Sequence, residues 1–277
     1  MTRPYSHRPD VADAGAWYTR AAGEVDRAVD DLARGRTVEI RDVGLTLDDL
    51  WDALAWGWLT ERPLEELAAL VGSAAGLVVA WLDAPHGRPV RLRDVELLVA
   101  TALLAGDGDA ARRTAALDVP PPSQDVEWRA AALTGLVRQD DVAADAAADR
   151  LRSIVAAPTT APVVASWLAH LDELCDAVIR RDQAAFGAAL SARAHAVARL
   201  HRTAVTRRRS SGLLDWTAIA LARVGEQRGL VVPPGVEVVP AELLAAVGPV
   251  GRAESAARRS RARRQWWPGA RSGVRPG

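Results

Sequence analysis

The chain has 277 residues, enough for one large domain or two small ones with a substantial buried core. It is 49% hydrophobic and 25% charged, an ordinary balance for a globular protein. All 35 cationic side chains are Arg, and neither Lys nor Asn occurs, which excludes a phosphate-loop Lys, a Schiff-base Lys and any Asn-dependent site. The single Cys, Cys175, excludes an internal disulfide and every multi-Cys metal cluster.

Net charge is zero but unevenly placed. From Arg252 the last 26 residues carry eight Arg and one acid, which leaves the chain up to Gly251 at −7. The first ten residues hold no apolar run, so no secretory signal is expected. The longest uncharged stretch, Leu67–Leu82, is shorter than the roughly 20 residues a bilayer requires, and predicts a core helix in a cytoplasmic chain without membrane contact.

Helical periodicity dominates. Asp10–Ala33 places Trp17, Ala21, Val25, Ala28, Val29 and Leu32 on one stripe and stops at Gly35. Thr37–Val43 alternates weakly, as a short strand would. Thr46 is the expected cap of a helix through Trp58, and Pro63 opens the next, through Leu82. Helices then come in pairs: Asp94–Ala105 with Asp109–Leu117, Gln124–Val137 with Val142–Val155, and Pro162–Arg180 with Gln183–Ala204. Their turns share a look, LLAGDGDAA, LVRQDDVAA and VIRRDQAA, and recur at spacings close to those of helix-pair repeats. Along Val163–Arg180 one continuous helix would bury Trp167, Leu171, Leu174, Cys175, Val178 and Ile179 and wet Asp172, Glu173, Asp176 and Arg180. Ser211–Arg228 is apolar nearly all round, with a narrow polar strip at Asp215 and Glu226, and belongs at the centre of the fold. Val231-Val232 and Val236–Val239 suit extended backbone, a short helix follows Pro240, and disorder is expected from Arg252. The fold class is therefore all-α, an array of antiparallel helix pairs with at most a few short extended segments. The divisions expected are a helical region over 1–90, the array over 91–248 and a basic tail over 249–277.

Few motifs carry chemistry. Asp48-Asp49-Leu50-Trp51-Asp52 has the DDxxD spacing with which isoprenoid-type enzymes hold Mg²⁺ against a diphosphate, but no partner motif accompanies it, and first-turn acids favour a helix dipole on their own account. His170 and Glu173 share a face with no second pair to complete a metal site. His195 and His201 diverge, and Cys175 lies in an apolar stripe. No catalytic residues, metal or cofactor are expected. The tail sets Arg258, Arg259, Arg261, Arg263 and Arg264 before Trp266-Trp267, a pattern that can grip nucleic acid.

A further set of spacings runs from Leu92 to Leu244. A helix pair ends in Ala116-Leu117-Asp118-Val119-Pro120. A turn Asp182 is followed by Phe186, Ala189 and Leu190. Gly212 opens an apolar helix that Gly229 follows, and Pro240 precedes Leu243-Leu244. In this pattern the chain resembles the immunity protein 49 family, helical proteins encoded beside polymorphic toxins of bacteria. It departs from the family around Val197 and Arg199, where a His and a Tyr are usual, and at Val238-Val239, where a Tyr is often found. The first 90 residues lie outside the resemblance. The resemblance implies an immunity protein that neutralises a cognate toxin domain by stoichiometric binding. The acidic turn residues Asp140, Asp141 and Asp145 are the candidate contact face, since an acidic body suits a basic toxin. The alternatives are a helical-repeat scaffold or regulator that touches nucleic acid through its tail, and an Mg²⁺-dependent isoprenoid-type enzyme using Asp48, Asp49 and Asp52.

Overall fold

A computed structural model describes residues 13–34, 40–84, 90–201 and 212–248; Gly35, the Thr37–Glu39 stretch and the basic tail lie outside the described residues. The fold is all-α. Among the described residues there are twelve α-helices, one 3-10 turn and no strand. In chain order these are α1 (Ala14–Ala33), α2 (Ile40–Leu59), α3 (Leu64–Asp83), α4 (Leu92–Leu104), α5 (Gly108–Ala115), a 3-10 turn (Asp125–Glu127), α6 (Trp128–Val137), α7 (Asp141–Ala156), α8 (Pro162–Leu168), α9 (Leu171–Arg180), α10 (Gln183–Leu200), α11 (Trp216–Gln227) and α12 (Ala241–Val247).

The shared turns have one physical basis. Gly106, Gln139 and Arg181 all take the left-handed conformation just past a helix end. The next residue, an Asp each time, donates its N–H back to the preceding helix: Asp107 to the carbonyl of Ala102, Asp140 to that of Gly135 and Asp182 to that of Ala177, at 2.9, 2.9 and 3.0 Å. Each Asp carboxylate then accepts the N–H of the residue three further on, Ala110, Ala143 or Ala185, at 3.0 Å. One device ends a helix and starts the next three times over.

The paired helices pack closely. A Cβ on Gly135 of α6 would stand 2.9 Å from the backbone nitrogen of Ala144 on α7, and backbone cannot rotate away. Gly135→Val is therefore expected to lower stability by about 1–3 kcal/mol, read as a shifted denaturant midpoint at unchanged slope. An unchanged midpoint would mean the two helices can separate at no cost.

α11 does lie centrally, and its C-terminal end ties the three turns together. Gln227 lies beside Gly108 at the first turn. Arg228 donates to the Leu136 carbonyl (3.1 Å) and to Asp141 (2.7 Å) at the second. Val231 exchanges two hydrogen bonds with Gln183 at the third, 2.7 and 2.9 Å. α3 is the one helix among the described residues long and apolar enough to cross a bilayer; here Leu67, Val71, Ala74 and Val78 are buried, and the helix packs on α1, α2, α4, α5 and α12. One apolar cluster is continuous from Ala14 of α1 to Val247 of α12.

Several expectations are corrected. Residues 40–43 are the first turn of α2, not a strand, because Val43, Leu47, Leu50 and Leu54 make a buried stripe only at helical period. Thr46 is no cap: it sits inside α2, where its hydroxyl donates to the Asp42 carbonyl one turn back at 2.9 Å. The helix expected over Pro162–Arg180 breaks at His170, whose φ of 64° is left-handed. The Ala169 carbonyl freed at the break accepts from Arg193 at 3.0 Å, which replaces the lost helical bond. Asp172 consequently is buried rather than wet and pairs with Arg152 at 3.1 Å. α11 starts at Trp216, later than expected, because Asp215 caps it through the Ala218 N–H. Val231-Val232 and Val236–Val239 form turns and irregular backbone, not strands; Val232, Val236, Val238 and Val239 are nonetheless buried.

Candidate functional site

Two places in the fold concentrate polar chemistry: the edge where the turns meet, and a cavity on the side of α2 and α4.

On the turn edge, Asp140 is consumed as the α7 cap, and Asp141 is held by Arg228 at 2.7 Å. Asp145, one turn on, is exposed and has no cationic partner among the described residues. Beyond it Arg152 gathers three carboxylates, Asp149 from its own helix and Asp172 and Asp176 from α9. Burial pushes the Asp176 carboxyl above its ordinary range, Arg152 and Arg180 pull it down, and Asp145 and Asp172 push it up again. Val142 (83% exposed) and Val231 (66%) offer apolar contacts on the edge, among exposed charges of both signs: Asp140, Asp141, Asp145 and Asp182 beside Arg138 and Arg181.

The cavity, about 470 Å³, is walled by Arg41, Gly44, Leu45 and Asp48 of α2, by Arg91 just before α4 and Arg93, Asp94, Glu96 and Leu97 on it, by the 3-10 turn, and by Arg129 of α6. Glu96 forms its floor, 1% exposed, with Arg129 Nε at 2.9 Å and the Thr217 hydroxyl donating at 3.2 Å. Burial raises the Glu96 carboxyl, against the pull of Arg129 and Thr217, and Asp215 adds to the rise. The Arg129 guanidinium lies over the Trp216 ring, 5.1 Å from its centre. Glu127 is held low because the Ser123 and Gln124 N–H groups and the Ser123 hydroxyl all donate to it, a capping box on the 3-10 turn.

Asp48 faces α4, with Arg93 at 3.8 Å, while Asp49 has Glu24 and Arg20 of α1 for neighbours; Asp52 bears on both, and Asp48 on Asp49. Burial raises both carboxyls. Among the described residues no three His, Cys, Asp or Glu side chains come close enough to hold a metal ion. Among the described residues, His170 pairs with Glu173 (3.1 Å) and His195 with the Ser191 carbonyl (2.8 Å). Cys175 is buried, and burial drives its thiol far above its ordinary range, with Asp176 and Asp172 adding to the effect.

The positions that carry the family resemblance are structural, and most lie on α11 or on the helices beside it. Asp182 caps α10. Phe186, fully buried, presses its ring edge on Gly225 of α11, leaving no room there for a Cβ, and Leu190 is buried a turn later. Gly212 lies against the ring of buried His201 just before α11, and Gly229 takes φ 90° just after it. Pro240 opens α12, whose Leu244 carbonyl receives Arg223 of α11 at 2.6 Å.

The chain matches no family model, and neither a curated protein nor a solved structure is similar to it. The cavity residues Arg41, Arg91, Arg93, Glu96 and Arg129 escaped the sequence reading. The one signal for them is the solitary acid in the apolar run VELLVATALL; a charge inside a buried stripe demands a partner.

Proposed function

We propose that this chain is a cytoplasmic immunity protein that neutralises a cognate bacterial toxin domain by stoichiometric binding, without turnover. The observation that carries the reading is that the resemblance positions hold α11 and the helices beside it. Phe186 packs against α11, Gly212 and Gly229 flank it, and Asp182 and Pro240 cap the neighbouring α10 and α12, while the C-terminal end of α11 aligns the three turns. Residues that clasp a central helix fix the geometry of an outer edge, and that edge is the contact surface in this proposal.

The edge is suited to such a task. It is stiffened by three identical capped turns, so little conformational freedom is lost on binding. Its acids complement a basic toxin, which favours a fast encounter, while Val142 and Val231 supply desolvated contacts that slow dissociation.

The proposal is tested by co-expressing the chain with the toxin domain encoded beside its gene. Growth rescue and co-purification are expected for the wild type. A variant carrying Val142→Arg and Asp145→Arg is expected to fold, because both side chains are exposed and neither is paired among the described residues, yet to bind about tenfold or more weaker and to lose rescue at low expression. Full rescue by the variant would move the contact surface elsewhere. Failure of the well-folded wild type to rescue would overturn the function itself.

A further inference from the structure

The cavity on α2 and α4 has no part in the toxin-binding edge, and its inner wall is built around one cation. The Arg129 side chain is 11% exposed; its Nε is spent on Glu96, and its plane is fixed over Trp216. No hydrogen-bond acceptor for its two Nη groups exists among the described residues. A guanidinium held by Nε and stacked on an indole presents its remaining N–H groups as a rigid fork, the geometry that suits carboxylate or phosphate oxygens.

The lining is balanced in charge, with Arg41, Arg91, Arg93 and Arg129 against Asp48, Asp94, Glu96 and Glu127, so what favours an anion is the N–H donors left over. Arg41 has no carboxylate partner among the described residues, and Arg93 lies 3.8 Å from Asp48, beyond hydrogen-bonding distance. The other acids are engaged: Glu96 by Arg129 and Thr217, Glu127 by the Ser123 and Gln124 donors, and Asp94 by Arg91 at 3.3 Å. A volume of about 470 Å³ falls within the range of small-molecule sites.

We infer that the cavity binds a small polyanion, with one anionic group on the Arg129 fork and a second between Arg41 and Arg93 at the mouth. The shared chemistry is clustered anionic oxygens, from a phosphorylated molecule or from a polycarboxylate. This inference is independent of the toxin reading and stands or falls without it.

The test titrates the full chain with inorganic pyrophosphate and, separately, with citrate, by calorimetry and by thermal unfolding. Single-site saturation by at least one probe is expected, with a melting temperature that climbs with probe concentration. Arg129→Gln is expected to abolish binding and Arg41→Gln to weaken it about tenfold. Arg41 is exposed, so its variant folds and keeps the test decisive if Arg129→Gln does not. Saturation by pyrophosphate alone assigns a phosphorylated ligand, by citrate alone a polycarboxylate, and by both the common chemistry; each upholds the site. No saturable binding of either probe, or binding undiminished in Arg41→Gln, overturns it.

Discussion

Asp215→Ala is expected to cost about 3–5 kcal/mol of stability, a large share of what holds a domain folded. Asp215 and Arg193 are both nearly inaccessible, 6% and 7% exposed at the side chain, and lie 2.6 Å apart. The carboxylate does three things at once. It neutralises a guanidinium that bonds the Ala169 carbonyl at the α8–α9 break, it caps α11 through Ala218, and its charge bears on Glu96. Alanine removes the charge and strands Arg193 in an apolar interior, which is far more costly than never having had the pair. The double variant Arg193→Met with Asp215→Ser strands no charge and keeps a capping oxygen, so it is expected to be more stable than Asp215→Ala alone. Chemical denaturation of the three proteins measures this. A loss under 1 kcal/mol for Asp215→Ala would mean that water reaches the pair.

Phe186→Ala is expected to cost about 3–5 kcal/mol, by the same measurement. This is the only Phe of the chain; it is fully buried, and its ring edge fills the notch left by Gly225 on the central helix. Its removal leaves a void between α10 and α11 that two helices pinned by other contacts cannot close. Phe186→Leu keeps most of the volume and is expected to lose less. Gly225→Ala should destabilise from the opposite direction, since the new methyl would stand 2.9 Å from the ring. Equal stability of Phe186→Ala and wild type would show that the notch collapses freely.

Local signals were legible in the sequence and long-range ones were not. The three turns could be read because everything they use lies within a few residues: a left-handed residue, then an Asp whose carboxylate caps the helix it begins. The central place of α11 was legible from its all-round apolarity. The break at His170 was not, because an angular count treats a helix as continuous, while the donor that stabilises the break, Arg193, comes from two helices later. Asp215 looked like a wet strip on α11 for the same reason: the cation that makes its burial tolerable is 22 residues away. The cavity was the least legible feature. Its wall draws on residues from 41 to 129, and its chemistry rests on Arg129 being held by Glu96, 33 residues earlier, and by Trp216, far later. Single charged residues inside apolar runs, Glu96 in α4 and Arg193 in α10, mark these networks once they are read as obligations to find a partner.

The proposed function is tested most directly by stoichiometry. Purified chain is added in steps to the purified toxin domain that the proposal places beside its gene, while the toxin's own activity is followed. The account predicts a linear fall that reaches zero at one equivalent. Activity that persists at a several-fold excess would contradict it, and so would complete loss at a small fraction of an equivalent, which would point to turnover instead of capture.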